Sequence, residues 1–191
     1  EVDANKNPTG KRVTTNDYGS ADYYYVDKSS LPKVYGGFNT SLSWKGFDLS
    51  AIFAYSIGGY IYNRDVTMIL HNGSLEGRDW STEILRRWTP DNRYTDVPAL
   101  STTSNNWNSA STRFLQNNSY MRLKNLTLSY NLPKQWISKL SLSSVQVYVQ
   151  GDNLFTIHRN QGLDPEQGIT GITYYRYPAM RTISGGINVS F

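Results

Sequence analysis

The sequence predicts an all-β protein whose antiparallel strands, about five of them, form part of a transmembrane β-barrel. Three observations carry that prediction. The final stretch alternates strictly, with Ile183, Gly185, Ile187, Val189 and Phe191 set against Ser184, Gly186, Asn188 and Ser190. A period of two marks a strand with one apolar and one polar face, and about 9–11 residues suffice for a tilted strand to cross a bilayer. Similar runs recur along the chain, and the connections between them alternate long (1–33), short (45–46), long (61–112), short (133–141) and long (157–180). Barrel topology requires that alternation, because short turns gather at one rim and long loops at the other. The chain also carries 15 Tyr, 5 Trp and 6 Phe, enough to furnish aromatic girdles at the two membrane interfaces.

Composition narrows the alternatives. Hydrophobic content is 38% and mean hydropathy is −0.53, and no run of about 18 apolar residues offers a helical span. A barrel remains permitted, since half of each strand faces a polar interior. Cysteine is absent, which removes disulfides, thiolate metal sites and a thiol nucleophile. The net charge of +4 arises from 19 Lys and Arg against 15 Asp and Glu. These are scattered rather than gathered into the basic face that nucleic acid requires. No signal or transit peptide is legible at Glu1-Val2-Asp3, so an exported protein is expected here as a piece or a processed form.

Taken in order, residues 1–33 are polar and turn-rich, an expected extracellular loop with a short strand at Tyr23-Tyr24-Tyr25-Val26. Their Asp residues lack calcium-loop spacing. Residues 34–191 are expected to hold the barrel strands and their loops, one partial domain. Phe38, Thr40, Leu42 and Trp44 share a face, and Lys45-Gly46 then suits a tight primed hairpin. The returning strand places Phe47, Leu49, Ala51, Phe53, Tyr55 and Ile57 on one face. Trp44 and Phe47 flank the turn and, with Tyr130, are expected as interface aromatics. In the long connection, Trp80 to Trp88 reads as a short helix capped by Ser81 or Thr82 and ended by Thr89-Pro90-Asp91-Asn92. The next strand, Tyr120 to Leu132, changes phase: Leu126, Leu128 and Tyr130 alternate one way, Met121 and Leu123 the other. A bulge, or a strand rising above the membrane, accounts for the switch, and both stay open. Gln135-Trp136-Ile137 suggests one helical turn. Val145, Val147, Val149 and Gly151 mark a further strand before the final one.

No reaction chemistry is legible. His71 and His158 each stand in a loop without a second ligand at metal spacing. No GxSxG elbow or phosphate loop occurs. Asp164-Pro165-Glu166 has the residue types of a glycosidase carboxylate pair, but reads more simply as a proline turn. Asn39, Asn125 and Asn188 are glycosylation sequons lying within strands and are discounted. An enzyme is not expected, and no cofactor or metal.

Several segments resemble the SusC/RagA-like TonB-dependent outer-membrane transporters. They are Val34-Tyr35-Gly36-Gly37-Phe38, Trp44-Lys45-Gly46-Phe47-Asp48-Leu49-Ser50, Trp88-Thr89-Pro90-Asp91-Asn92 with Thr95-Asp96-Val97-Pro98, and Tyr120 to Leu128. Others are Val147 to Thr156, Gly162-Leu163-Asp164-Pro165-Glu166, and Tyr177-Pro178 near Arg181-Thr182. The match runs in order through residues 34–191. The resemblance implies a 22-stranded barrel with an N-terminal plug, of which this chain would supply the last five or so strands. It also implies import of glycan oligosaccharides or peptides, with a SusD-like lipoprotein lid outside and TonB acting through an N-terminal region. Ile187, Val189 and the terminal Phe191 are similar to the signal read by the barrel-assembly machinery, and the C-terminus is then periplasmic, in the outer membrane of a Gram-negative bacterium. Candidate substrate-lining groups in the outer loops are Tyr94, Asn105, Asn106, Trp107 and Tyr174; packing among loops, or contact with the lid, is the alternative role for them.

Five strands cannot close a barrel, and an open edge in lipid leaves backbone groups unsatisfied at several kcal/mol each. The expected function therefore belongs to a longer parent. The rival reading is a soluble, secreted glycan-binding β-sandwich, and a passive porin is a third. Phe38, Leu49, Phe53, Leu128, Val147 and Ile187 separate the first two. A barrel puts them on one continuous lipid-facing surface, a sandwich in a dry core.

Overall fold

The structure, a computed structural model, describes residues 15, 17–71, 73, 75, 77–101, 106–160, 162, 164–166, 170–173 and 175–191. Its strands are β1 (Val34–Trp44), β2 (Phe47–Ile57), β3 (Tyr60–Tyr62), β4 (Leu115–Asn117), β5 (Tyr120–Asn131), β6 (Ser144–His158) and β7 (Thr182–Ser190). Two short helices join them, α1 (Arg64–Ile69) and α2 (Lys134–Ile137). The long strands form one antiparallel sheet in the order β1-β2-β5-β6-β7, and β3 pairs with β4 in a separate two-stranded ribbon. Contacts divide the chain into two units. One comprises the described residues up to Asp27 with Asp65–Phe114, the other Lys28–Arg64 with Leu115–Phe191.

The sheet belongs to the second unit, and its register explains the sequence pattern. At the Lys45-Gly46 hairpin both central residues have positive φ, 49° and 87°, the primed turn whose twist matches that of the strands it joins. Reading across the strands, Trp44, Phe47, Tyr130, Val147 and Ile187 form one row. Leu42, Leu49, Leu128, Val149 and Gly185 form the next, followed by Thr40, Ala51, Leu126, Gly151 and Ile183. Above these, Phe38, Phe53, Leu123 and Phe155 align, with the Phe38 and Phe53 rings stacked at 4.7 Å. All these rows lie on one face, because residues two apart along a strand share a side.

The phase switch in β5 is a bulge. Ile52 and Phe53 of β2 face Asn125 and Leu123, leaving Lys124 as an extra residue. On the other side Asn125 and Leu123 face Asp152 and Phe155, so β6 inserts a further residue around Asn153, whose φ is 52°. The insertions return Leu123, Met121, Phe155 and Ile157 to the apolar face. The β6 irregularity also lays Leu154 over Gly151, where a Cβ would lie 2.7 Å from a Leu154 methyl.

The apolar face is not packed. Leu42, Val149, Ile183 and Ile187 are 68%, 55%, 77% and 65% exposed. The other sheet consists of two three-residue strands and cannot cover it. Among the described residues, buried apolar side chains are few and dispersed: Ala51, Ile61, Leu123 and Ile137 in this unit, Ile84, Val97 and Phe114 in the other. A soluble sandwich would bury these rows against a second layer. This sheet presents them to the surroundings.

Several local expectations are corrected. Tyr23–Val26 forms no strand, and its three tyrosines are exposed. The anticipated helix after Trp80 is a five-residue 3-10 turn, Thr82–Arg86, with Ser81 Oγ accepting from the Glu83 N–H. Its backbone bonds span three residues, Ile84 N–H donating to the Ser81 carbonyl at 3.0 Å and Arg87 N–H to the Ile84 carbonyl at 3.1 Å, the pattern of a 3-10 turn. Asn92 closes the following turn, its N–H donating to the Thr89 carbonyl at 3.0 Å. The expected helical turn at Gln135–Ile137 is present as α2. Helix α1, the β3–β4 ribbon and the upper half of β6 carry no clear period in the sequence and escape it.

Candidate functional site

The face opposite the apolar rows is polar. Ser43, Asp48, Ser129, Tyr148 and Gly186 make one row; Ser41, Ser50, Thr127, Gln150 and Ser184 the next; Asn39, Ile52, Asn125, Asp152 and Thr182 a third. Their side chains bond across strands. Asn125 Nδ2 donates to Asp152 Oδ1 at 2.8 Å, and within β5 Thr127 Oγ1 donates to Asn125 Oδ1 at 2.9 Å. Asn131 Nδ2 donates to Asp48 Oδ2 at 2.7 Å, and Ser43 Oγ donates to the other oxygen of the same carboxylate.

At the end of the sheet away from the Lys45-Gly46 hairpin, a further row joins Gly37, Ala54, Arg122 and Thr156. Arg122 is 3% exposed. Its Nη2 meets Asp164 Oδ1 at 2.5 Å, its Nη1 meets Glu166 Oε2 at 2.6 Å, and its Nε donates to Thr156 Oγ1 at 2.8 Å. Lys124, the bulge residue, reaches Glu166 Oε1 at 2.5 Å. Asp164 also accepts from the N–H groups of Glu166 (2.9 Å) and Ala179 (2.6 Å). Burial raises the Asp164 pKa, but the bonds from Ala179, Arg122 and Glu166 outweigh it and hold the carboxyl below its usual range. Two cations and two carboxylates thus form a neutral cluster.

Beside it lies an open cleft of about 480 Å3 bordered by Leu31, Pro32, Tyr35, Tyr60, Tyr120 and Glu166. Its lining combines phenol rings with amide and hydroxyl groups, which is suited to hydrogen-bonding chains with flat faces rather than to catalysis. Among the described residues no group of three or more His, Asp or Glu side chains is placed to hold a metal ion.

The residues singled out from sequence fall as follows. Trp44, Phe47 and Tyr130 share one cross-strand row, the Phe47 and Tyr130 rings 4.4 Å apart. Ile187 and Val189 lie on the apolar face of β7 opposite Val147 and Val145, and Phe191 follows the strand, 91% exposed. Tyr94 is fully exposed. Asn106 and Trp107 share a 3-10 turn in the unit containing Asp65–Phe114. Asn105 and Tyr174 lie outside the described residues. Asp164-Pro165-Glu166 is a turn, as the sequence suggests, but both carboxylates are committed to Arg122 and Lys124. The sequence offered one signal for this cluster, a charged Arg122 in phase with the apolar Leu126, Leu128 and Tyr130; the bulge at Lys124 returns Arg122 to the polar face. It gave no means of pairing Arg122 with residues 42 and 44 positions on.

A sheet with a continuous, unpacked apolar face and a hydrogen-bonded polar face, joined by alternately short and long connections, is a stretch of transmembrane barrel wall. The relatives agree. The chain is 34% identical over 166 residues to the TonB-dependent receptor P3 of Formosa agariphila, covering 81% of this chain and 16% of that one. It is 27% identical over 168 residues to the TonB-dependent receptor SusC of Bacteroides thetaiotaomicron, covering 87% and 16%. The structure of the RagAB peptide importer in its closed-closed state superposes with a TM-score of 0.81 at 36% identity, over 100% of this chain and 20% of that one. No family model matches. The chain is SusC/RagA-like, and its sheet is that of the C-terminal part of a TonB-dependent transporter barrel. It spans about a fifth or less of the length of these relatives, which are receptors and importers and not enzymes.

Proposed function

We propose that this chain forms the C-terminal wall of an outer-membrane transporter that imports peptides or glycan oligosaccharides with energy supplied through TonB. The observation that carries the proposal is the division of the five-strand sheet into an exposed apolar face and a polar, internally bonded one. Lipid covers the first face, and the second lines the interior. The SusC/RagA likeness supports the energised class over a passive porin, and the likeness to the RagAB peptide importer supports peptides among the substrates. Short turns such as Lys45-Gly46 then face the periplasm together with the C-terminus, and the segments around Tyr94 and Trp107 face outward, where a SusD-like lipoprotein lid would close.

Uptake of labelled oligopeptides and oligosaccharides by cells carrying the full-length transporter tests this reading. Uptake of one class that stops when the proton gradient is dissipated is the expected result. Uptake that continues without the gradient would overturn the energised mechanism in favour of a pore.

A further inference from the structure

The connection between β6 and β7 does not stand away from the sheet. Tyr62 N–H donates to the Gly171 carbonyl at 2.7 Å and Thr173 N–H to the Tyr62 carbonyl at 3.2 Å. Asn118 Nδ2 donates to the Pro165 carbonyl at 2.8 Å, and Asn153 Nδ2 to the Met180 carbonyl at 3.2 Å. Pro165 and Thr173 are fully buried. The loop is therefore folded back over the polar face, and most of these ties are single neutral hydrogen bonds of modest net worth.

The Arg122 cluster is different in kind. It joins a strand residue to two loop carboxylates through charge-assisted bonds, with Arg122 and Asp164 both withdrawn from water (side chains 4% and 7% exposed). Asp164 in turn fixes Ala179, near the far end of the loop. We propose that Arg122 is the positioning residue of this loop. Its paired bonds to Asp164 and Glu166 hold the loop across the polar face, where Pro165 and Glu166 form a wall of the cleft bordered by Tyr35, Tyr60 and Tyr120. Removing the guanidinium leaves two carboxylates facing each other with Lys124 alone to balance them, so the docked loop becomes the costly arrangement. The role is independent of which compound is imported. It goes beyond the transport reading by assigning one residue the task of keeping the wall closed.

Limited trypsin digestion of the purified full-length transporter, with the cut after Arg176 followed by mass spectrometry, tests this. Arg122→Met is expected to raise the cutting rate on the order of tenfold or more, while the barrel keeps its heat-modifiable mobility on gels. The triple change Arg122→Met, Asp164→Asn and Glu166→Gln removes the bonds without stranding charge, so it is expected to be cut faster than the wild type but more slowly than Arg122→Met. Cutting of the triple variant at the wild-type rate would mean that the paired bonds do not hold the loop, and unchanged cutting in Arg122→Met would also overturn the proposal. Should Arg122→Met fail to assemble, Asp164→Asn takes its place. It removes the charge and one of the two acceptor oxygens, so the Arg122 bond and the Ala179 tie cannot both persist, and unaltered cutting there would equally overturn the proposal.

Discussion

Ile183 and Ser184 are neighbours in β7 and sit on opposite faces, 183 in the apolar row with Gly151 and 184 in the polar row with Gln150. Replacing each in turn with Arg isolates the face on which lipid lies. Ile183 is four positions above Ile187, which aligns with the row of Trp44, Phe47 and Tyr130. At about 3.4 Å per residue and a tilt of about 45°, that places it roughly 10 Å above the aromatic row, near the middle of an apolar band about 25 Å tall. An arginine there should cost about 2–4 kcal/mol, a shift of roughly 30- to 700-fold in the folded population. The same substitution at Ser184, already exposed on the polar face, should change stability by less than about 0.5 kcal/mol. Urea titration of the full-length protein in lipid vesicles, with heat-modifiable mobility as the readout, measures both. Equal effects from Ile183→Arg and Ser184→Arg would refute the facing argument, and a larger effect at Ser184 would invert it.

Two further outcomes follow from the packing. His71 is fully buried with the Trp80 ring edge-on at 5.2 Å, and burial lowers its pKa below 6.5. The neutral ring's contribution is complete above pH 6.5 and is lost as the pH falls through the lowered value, because the unfolded segment binds the proton first. Amide exchange across residues 65–114, corrected for its intrinsic pH dependence, should accelerate on acidification, and His71→Gln should flatten that slope; an unchanged slope would remove His71 as the cause. A methyl on Gly37 would sit 2.8 Å from the Phe53 carbonyl oxygen, which is backbone, whereas one on Gly36 meets the hydroxyl of the movable Tyr55 side chain at 3.0 Å. Gly37→Ala should therefore destabilise the β1–β2 pair by about 1–3 kcal/mol and Gly36→Ala by less; the reverse order on urea titration would contradict the register given to that pair.

The sequence by itself made the five long strands and their two faces legible. Those properties depend on a period of two and on turn residues such as Lys45-Gly46, which act over a few positions and need no partner to be read. It also determined that β5 changes phase at Lys124, without deciding between a bulge and a projecting strand. Tertiary structure made that decision, because the shift exists only in the pairing of Ile52 and Phe53 with Asn125 and Leu123. The same holds for β6, which extends to His158 because β5 offers it unpaired backbone groups there, although the insertion at Asn153 erases the alternation. The Arg122 cluster lay furthest from view. Its members gain their ion pairs only when the loop after β6 folds back over β5, and the attraction between charges depends on a distance in space that sequence separation does not encode.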